Sequence, residues 1–112
     1  MRYLTFIELS PFSKRRADLL SDDEFQALQQ YLLENHSLGK YLQHTGSCQK
    51  IRWASHNNQG KSSGVRIIYY HVGTKGRLYL LLIYPKNAQD NLTQAEKALM
   101  KQITDKLSQE KE

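Results

Sequence analysis

The chain is short of several things, and each shortage excludes something. Cysteine occurs once, at Cys48, so neither a disulfide framework nor a cysteine-based zinc site is available. A buried or strand-borne thiol is the expected role of that residue. No apolar run approaches the ~20 residues that span a bilayer. The opening MRYLTFIELSPFSKRR lacks the apolar segment of a secretory signal. A cytoplasmic location with no membrane partner is therefore expected. There is no internal repeat and no low-complexity segment. The four histidines, His36, His44, His56 and His71, show no metal-ligand spacing, so no metal site is expected.

The most telling absence is local. Residues 48–87 contain no aspartate or glutamate, yet hold Lys50, Arg52, Lys61, Arg66, Lys75, Arg77 and Lys86. Residues 1–47 and 88–112 each carry a net charge of −1, so the middle of the chain supplies the whole excess behind the net +5. A solvated face normally mixes signs, because like charges repel. Exclusion of acids over forty residues favours an anion site.

What is present reads as one globular domain. At 112 residues with 39% hydrophobic and 24% charged, the chain is sized for a single modest core, taken as 1–112. RYLTFIEL alternates and reads as a first strand. Ser10-Pro11 opens a short helix over about 11–19, with Ser10 as N-cap. Ser21-Asp22-Asp23-Glu24 is a capping box that opens a second helix. Phe25, Leu28, Leu32 and Leu33 form its core stripe, and Gly39 is its natural C-cap. Residues 40–47 read as a connection. Strands are expected at 48–55, 65–72 and 77–84, with a polar loop at 56–64, a tight turn at 73–76 and a stop at Pro85. Thr93-Gln94-Ala95-Glu96 is a second capping box, opening a helix to about 108 with the stripe Ala95, Leu99, Ile103 and Leu107. The order β-α-α-β-β-β-α predicts an α+β fold, an antiparallel sheet with helices packed on one face.

Strand parity then sorts the side chains. Lys50, Arg52 and Ala54 share one face, with Ile51 and Trp53 on the other. Arg66, Ile68 and Tyr70 oppose Ile67, Tyr69 and His71; Leu78, Leu80 and Leu82 oppose Arg77, Tyr79, Leu81 and Ile83. The simplest pairing gathers Lys50, Arg52 and Arg66 on the open face. Lys61 lies on the adjoining loop and Lys86 just past the last strand. His56 follows Arg52 and Ala54 in parity. Tyr70 follows Arg66, where it either packs or stacks an RNA base. Trp53, Tyr69 and Tyr79 read as sheet packing. Lys75 and Arg77 sit at a turn, where they aid solubility or touch RNA backbone.

The succession KIR, polar loop, GVRIIYY, hairpin turn, LYLLLIYPKN resembles the RelE/ParE superfamily of bacterial toxins from type II toxin–antitoxin modules. It is most similar to the HigB-type, RelE-like branch. The likeness spans the chain, and its specific part is residues 49–87. It implies a RelE-like fold and a ribosome-dependent mRNA endonuclease that cuts in the ribosomal A site and inhibits translation, without metal or organic cofactor. The implied partners are the 70S ribosome, mRNA, rRNA and a cognate antitoxin, expected to be of helix-turn-helix type. By position, Lys50 and Arg52 fall on the family's two catalytic lysines and Arg66 on its phosphate-binding arginine. An arginine past the last strand is replaced by Asn87, with Lys86 beside it. The family's C-terminal tyrosine has no match near Thr93.

RNA cleavage by internal attack needs a base for the 2′-OH proton, an acid for the leaving 5′-oxygen, and cations for the phosphorane. Lysine serves as the base where neighbouring cations disfavour its protonated form. Lys50 is the expected base, with Arg52 and Arg66 as phosphorane stabilisers. Lys86, Tyr84 and His56 are candidates for the acid. The wider RNA contacts are expected from Lys61, Tyr70, Lys75, Arg77, Tyr84, Asn87 and His56. Two other readings of the same sequence are a ParE-like inhibitor of DNA gyrase and a non-catalytic RNA-binding module.

Overall fold

A computed structural model gives the fold and describes residues 4–54, 64–89 and 91–109. The elements run β1 (Thr5–Glu8), α1 (Ser10–Leu19), α2 (Asp22–Asn35), β2 (Lys40–Tyr41), β3 (Gln49–Trp53), β4 (Val65–Val72), β5 (Arg77–Pro85) and α3 (Gln94–Gln109). A 3₁₀ turn, His36–Leu38, joins α2 to β2. The class is α+β, as expected. The five strands form one sheet in the order β1-β5-β4-β3-β2. No helix among the described residues is long and apolar enough to cross a membrane.

Three features depart from expectation. The sheet is mixed, because β1 adds to the edge beside β5 in parallel, Thr5 opposite Arg77 and Glu8 opposite Leu80. Residues 40–41 are a strand, paired antiparallel to β3. Helices cover both faces of the sheet. Phe12 of α1 and Leu28 and Leu32 of α2 pack with Ile51, Ile67, Tyr69, Leu78 and Leu80. Met100 of α3, with Ile103 and Leu107 at its margin, packs with Ile68, Tyr79 and Leu81, which have the opposite parity. Ile68, Leu81 and Cys48 are fully buried there, and that apolar area is what α3 removes from water.

Local chemistry explains the element ends. The Ser21 hydroxyl accepts from the Glu24 N–H at 3.1 Å, and the Glu24 carboxylate accepts from the Ser21 N–H at 2.8 Å. Thr93 and Glu96 repeat the same exchange at 3.1 and 2.8 Å. Both capping boxes are therefore present. The cap of α1 differs: Leu9 holds that position and Ser10 is the first helical residue, with Pro11 in the first turn. Arg16 ties α1 to α2, donating to Asp22 at 2.9 Å and lying 4.8 Å from the centre of the Phe25 ring.

The last helix is rotated from its expected stripe. Met100 and Thr104 are buried, while Leu99 remains 46% exposed. Steps of four overshoot a 3.6-residue turn, so a run of i+4 positions drifts around the helix. The buried line is instead Met100 and Thr104, flanked by the half-buried Ile103 and Leu107. Thr104 is admitted because its hydroxyl donates to the Thr45 carbonyl at 3.1 Å, pinning the β2–β3 loop. Gly46 of that loop has φ +74°, and an added Cβ would overlap the Thr104 hydroxyl. Gly46→Ala is expected to cost about 1–3 kcal/mol, by strain and overpacking. Urea denaturation of the variant measures this.

An irregularity between Ile68 and Tyr69 puts Leu80 opposite Tyr69 and Leu82 opposite Ile68, so β5 carries one extra residue. Beyond it the parity of β5 inverts. Ile83 packs with Leu78 and Leu80 rather than with Leu81 and Tyr79, and Tyr84 faces the α3 side.

Candidate functional site

On the α3 side of the sheet, β2, β3 and β4 bring four cations together. Lys40 stands directly opposite Lys50, and Arg52 directly opposite Arg66. Tyr84 continues the second row, opposite Arg66. Facing residues of paired strands hold their Cβ atoms about 5 Å apart, and like charges there are destabilising. Two such pairs sit one strand repeat apart. Among the described residues, Lys40, Lys50, Ile51, Arg52, Arg66 and Asn91 line a pocket of about 190 Å³. No carboxylate is among them. Arg66 is only 4% exposed, Arg52 is exposed, and Lys50 lies between these extremes.

Hydrogen bonds set the frame around this pocket. Lys50 Nζ donates to Asn91 Oδ1 at 3.5 Å. Asn91 comes from the segment before α3, where Gln89 Nε2 donates to the Asn91 carbonyl at 3.1 Å and to Glu96 Oε1 at 2.9 Å. Partial burial raises the Glu96 pKa, but hydrogen bonds from the Thr93 backbone, Gln89 and the Thr93 side chain bring it below the ordinary value. The helix cap thus also fixes the loop that meets Lys50.

On the opposite side of the sheet, a buried clamp places β2. Gln49 Nε2 donates to the carbonyls of His36 and Gly39, both at 3.0 Å. The Tyr69 hydroxyl donates to the same His36 carbonyl. Burial pushes the Tyr69 phenol up to about 12, with the Gly39 backbone partly offsetting this. Gly39 is needed for close approach, since a Cβ would overlap the Tyr69 hydroxyl; its φ of −65° is ordinary. It is not the C-cap of α2 expected from sequence: His36 holds that position, and Gly39 follows the 3₁₀ turn. The His36 and His71 rings lie 3.9 Å apart, tilted by 38°, and burial, then the His36 charge, lower the His71 pKa.

The expected site residues divide into groups. Lys50, Arg52 and Arg66 converge. Tyr84 stands in their row but is 1% exposed. Lys86 and Asn87 lie in the turn beyond β5, where the Lys86 N–H bonds the Gly64 carbonyl at 3.3 Å. Tyr70 packs under α3, its ring 6.5 Å from that of Tyr79, and burial raises its pKa. Lys75 and Arg77 sit at the far end of the hairpin, where Val72 rather than Arg66 faces Arg77. That is six residues from Arg66 along β4, about 20 Å. Arg77 donates to the Tyr79 hydroxyl at 3.4 Å. His56 and Lys61 lie outside the described residues. No group of three or more potential metal ligands occurs among the described residues.

Sequence reasoning missed Lys40 and Asn91. A two-residue strand has no periodicity to read, and Lys40 belongs to the acid-bearing part of the chain. Asn91 is uncharged, and only its contact with Lys50 singles it out. No protein-family model matches the chain.

Cys48, beside this site in sequence, behaves as a core atom. Burial pushes its thiol up from 9.0 to about 11, against a smaller lowering by the Thr45 side chain. The folded thiol therefore resists alkylation near pH 8 and reacts on unfolding, which a timed iodoacetamide reaction followed by mass measurement checks. A raised folded pKa favours the protonated form in the fold. Its stabilising contribution is complete below the unfolded pKa near 9 and is lost as pH rises through about 11.

Proposed function

We propose that this protein is a ribosome-dependent mRNA endonuclease, the toxin of a type II toxin–antitoxin pair, of the RelE/HigB kind. The observation that carries the reading is the pair of like-charge cross-strand partners, Lys40 with Lys50 and Arg52 with Arg66, around one pocket. Cations gathered on one face in this way raise the local positive potential and favour an anionic ligand there. RNA phosphate fits, because Arg52 and Arg66 offer two planar forks to nonbridging oxygens.

In the proposed reaction Lys50, as the free amine, takes the 2′-OH proton. The 2′-oxygen attacks phosphorus, and Arg52 and Arg66 stabilise the phosphorane. The bond to the 5′-oxygen breaks, leaving a 2′,3′-cyclic phosphate, and a general acid protonates the departing oxygen. Tyr84 and Lys86, with His56, remain the candidates for that acid; Tyr84 is the one in register with Arg66. The ribosome completes the site. The partners are the 70S ribosome, mRNA, rRNA and an antitoxin, in the cytoplasm.

A non-catalytic RNA-binding module is the second reading. It is favoured by Asn87 standing where the family has an arginine, and by the missing C-terminal tyrosine. Induced expression in a bacterial host separates the possibilities. The proposal predicts a fall in amino-acid incorporation with truncated mRNAs and intact DNA. Double-strand DNA breaks indicate gyrase poisoning instead. Ribosome association without truncated mRNA supports the binding module.

A further inference from the structure

We infer that Lys40 holds a second RNA phosphate, the one on the 5′ side of the nucleotide whose 2′-OH attacks; this rests on the reading above. Lys50 and Arg52 are two residues apart on one face of β3, so their rungs are separated by about 6.7 Å. That is the order of the step between successive phosphates of an extended single strand. Arg52 and Arg66 occupy one rung and Lys40 the other, across from Lys50.

The chemistry of the two rungs differs in the sense the inference requires. The arginine rung offers two forks, suited to the in-line geometry of a reacting phosphate. Lys40 offers a point charge, suited to a backbone phosphate that only needs to be held. In the chain of an RNA, the attacking 2′-OH lies between its upstream phosphate and the scissile one. Lys50, the proposed base, shares the rung of Lys40 but stands on β3, the strand that also carries Arg52, and so is one strand nearer the arginines. Lys40 lines the same pocket and is exposed, at the edge of the sheet where a strand of RNA has access.

A lysine on an edge strand also discourages strand pairing between molecules. That role alone predicts that Lys40→Ala self-associates and cleaves normally. The inference predicts something else, readable with an mRNA bearing a neutral methylphosphonate immediately 5′ of the cleaved nucleotide. On programmed 70S ribosomes, Lys40→Ala slows cleavage of ordinary mRNA about tenfold. The methylphosphonate slows the wild type equally. The two changes together are no slower than either alone, because they remove one contact. Lys40→Arg restores the rate and the sensitivity. Unaltered cleavage by Lys40→Ala, or effects that multiply, overturns the inference while leaving the endonuclease reading in place.

Should the wild type cut no mRNA on ribosomes, the endonuclease reading fails separately, and a second measurement still decides Lys40. Binding of a 2′-O-methyl RNA oligonucleotide is followed against salt. The slope of log affinity on log salt is expected to shrink by about 0.7 in Lys40→Ala, the effect of removing one phosphate contact on a single strand. An unchanged slope, or no salt-dependent binding by the wild type, removes Lys40 from any RNA site.

Discussion

Arg66→Ala is expected to fold and to lose about a hundredfold or more of the mRNA-cleaving rate, the usual loss when one stabiliser of a developing negative charge is removed. Arg66 lies 4% exposed between Arg52 on one strand and Tyr84 on the other. The apolar layers that hold the sheet are made by other residues: Ile67 and Tyr69 on one side, Ile68 and Leu81 on the other. Truncating Arg66 also removes a like charge facing Arg52, and this relief offsets part of the cost of deleting the side chain. Circular dichroism and the urea midpoint report the fold, and single-turnover cleavage on programmed ribosomes reports the rate. Arg66→Lys tests the mechanism more finely. It keeps the charge and loses the fork, so it is expected to fall between wild type and alanine. A folded Arg66→Ala protein with full activity would remove Arg66 from the phosphate site.

Tyr69→Ala is expected to destabilise the protein by about 3–5 kcal/mol, the range for truncating a buried aromatic. Its ring is fully buried within the layer that contains Leu28, Leu32 and Ile67. Its hydroxyl donates to the His36 carbonyl at the start of the turn into β2. Tyr69→Phe separates the two contributions. The ring stays, and the His36 carbonyl keeps its bond from Gln49 at 3.0 Å, so the loss is about 1 kcal/mol. Denaturant titrations of both variants give the values. The alanine variant also loosens the segment that presents Lys40, so activity is expected to decline before the fold is lost. If Tyr69→Ala costs no more than Tyr69→Phe, the buried ring adds nothing to stability; if Tyr69→Phe costs nothing, the hydroxyl is not part of the clamp on β2.

Sequence reading reached some of this architecture and not the rest, for identifiable reasons. The capping boxes at Ser21 and Thr93 are short-range chemistry, legible residue by residue. The convergence of Lys50, Arg52 and Arg66 was legible because two regular strands of period two flank a polar loop, and parity survives across β3 and β4. It failed in β5. The extra residue near Leu81 inverts the face of Ile83, and nothing in LYLLLIYP marks it, since every residue there is compatible with burial. The placement of α3 on the second face depends on Ile68 and Leu81 being apolar enough to need cover. Strand patterns read singly do not show which face a distant helix will take. Thr104 reads as polar and is buried; Leu99 reads as core and is exposed. Both follow from the contact of Thr104 with Thr45, separated by 59 residues. Lys40 became visible only when β2 paired with β3.

The central claim is that the cation cluster between β2, β3 and β4 serves RNA cleavage on the ribosome. It is tested most directly by mapping new 5′ ends after mixing purified protein with a defined mRNA, once alone and once on 70S ribosomes with that mRNA in the A site. The account predicts cuts at A-site codons only when ribosomes are present, and their loss in Arg66→Ala. Cuts that occur equally without ribosomes, or an absence of cuts on ribosomes to which the protein is shown to bind, would contradict it.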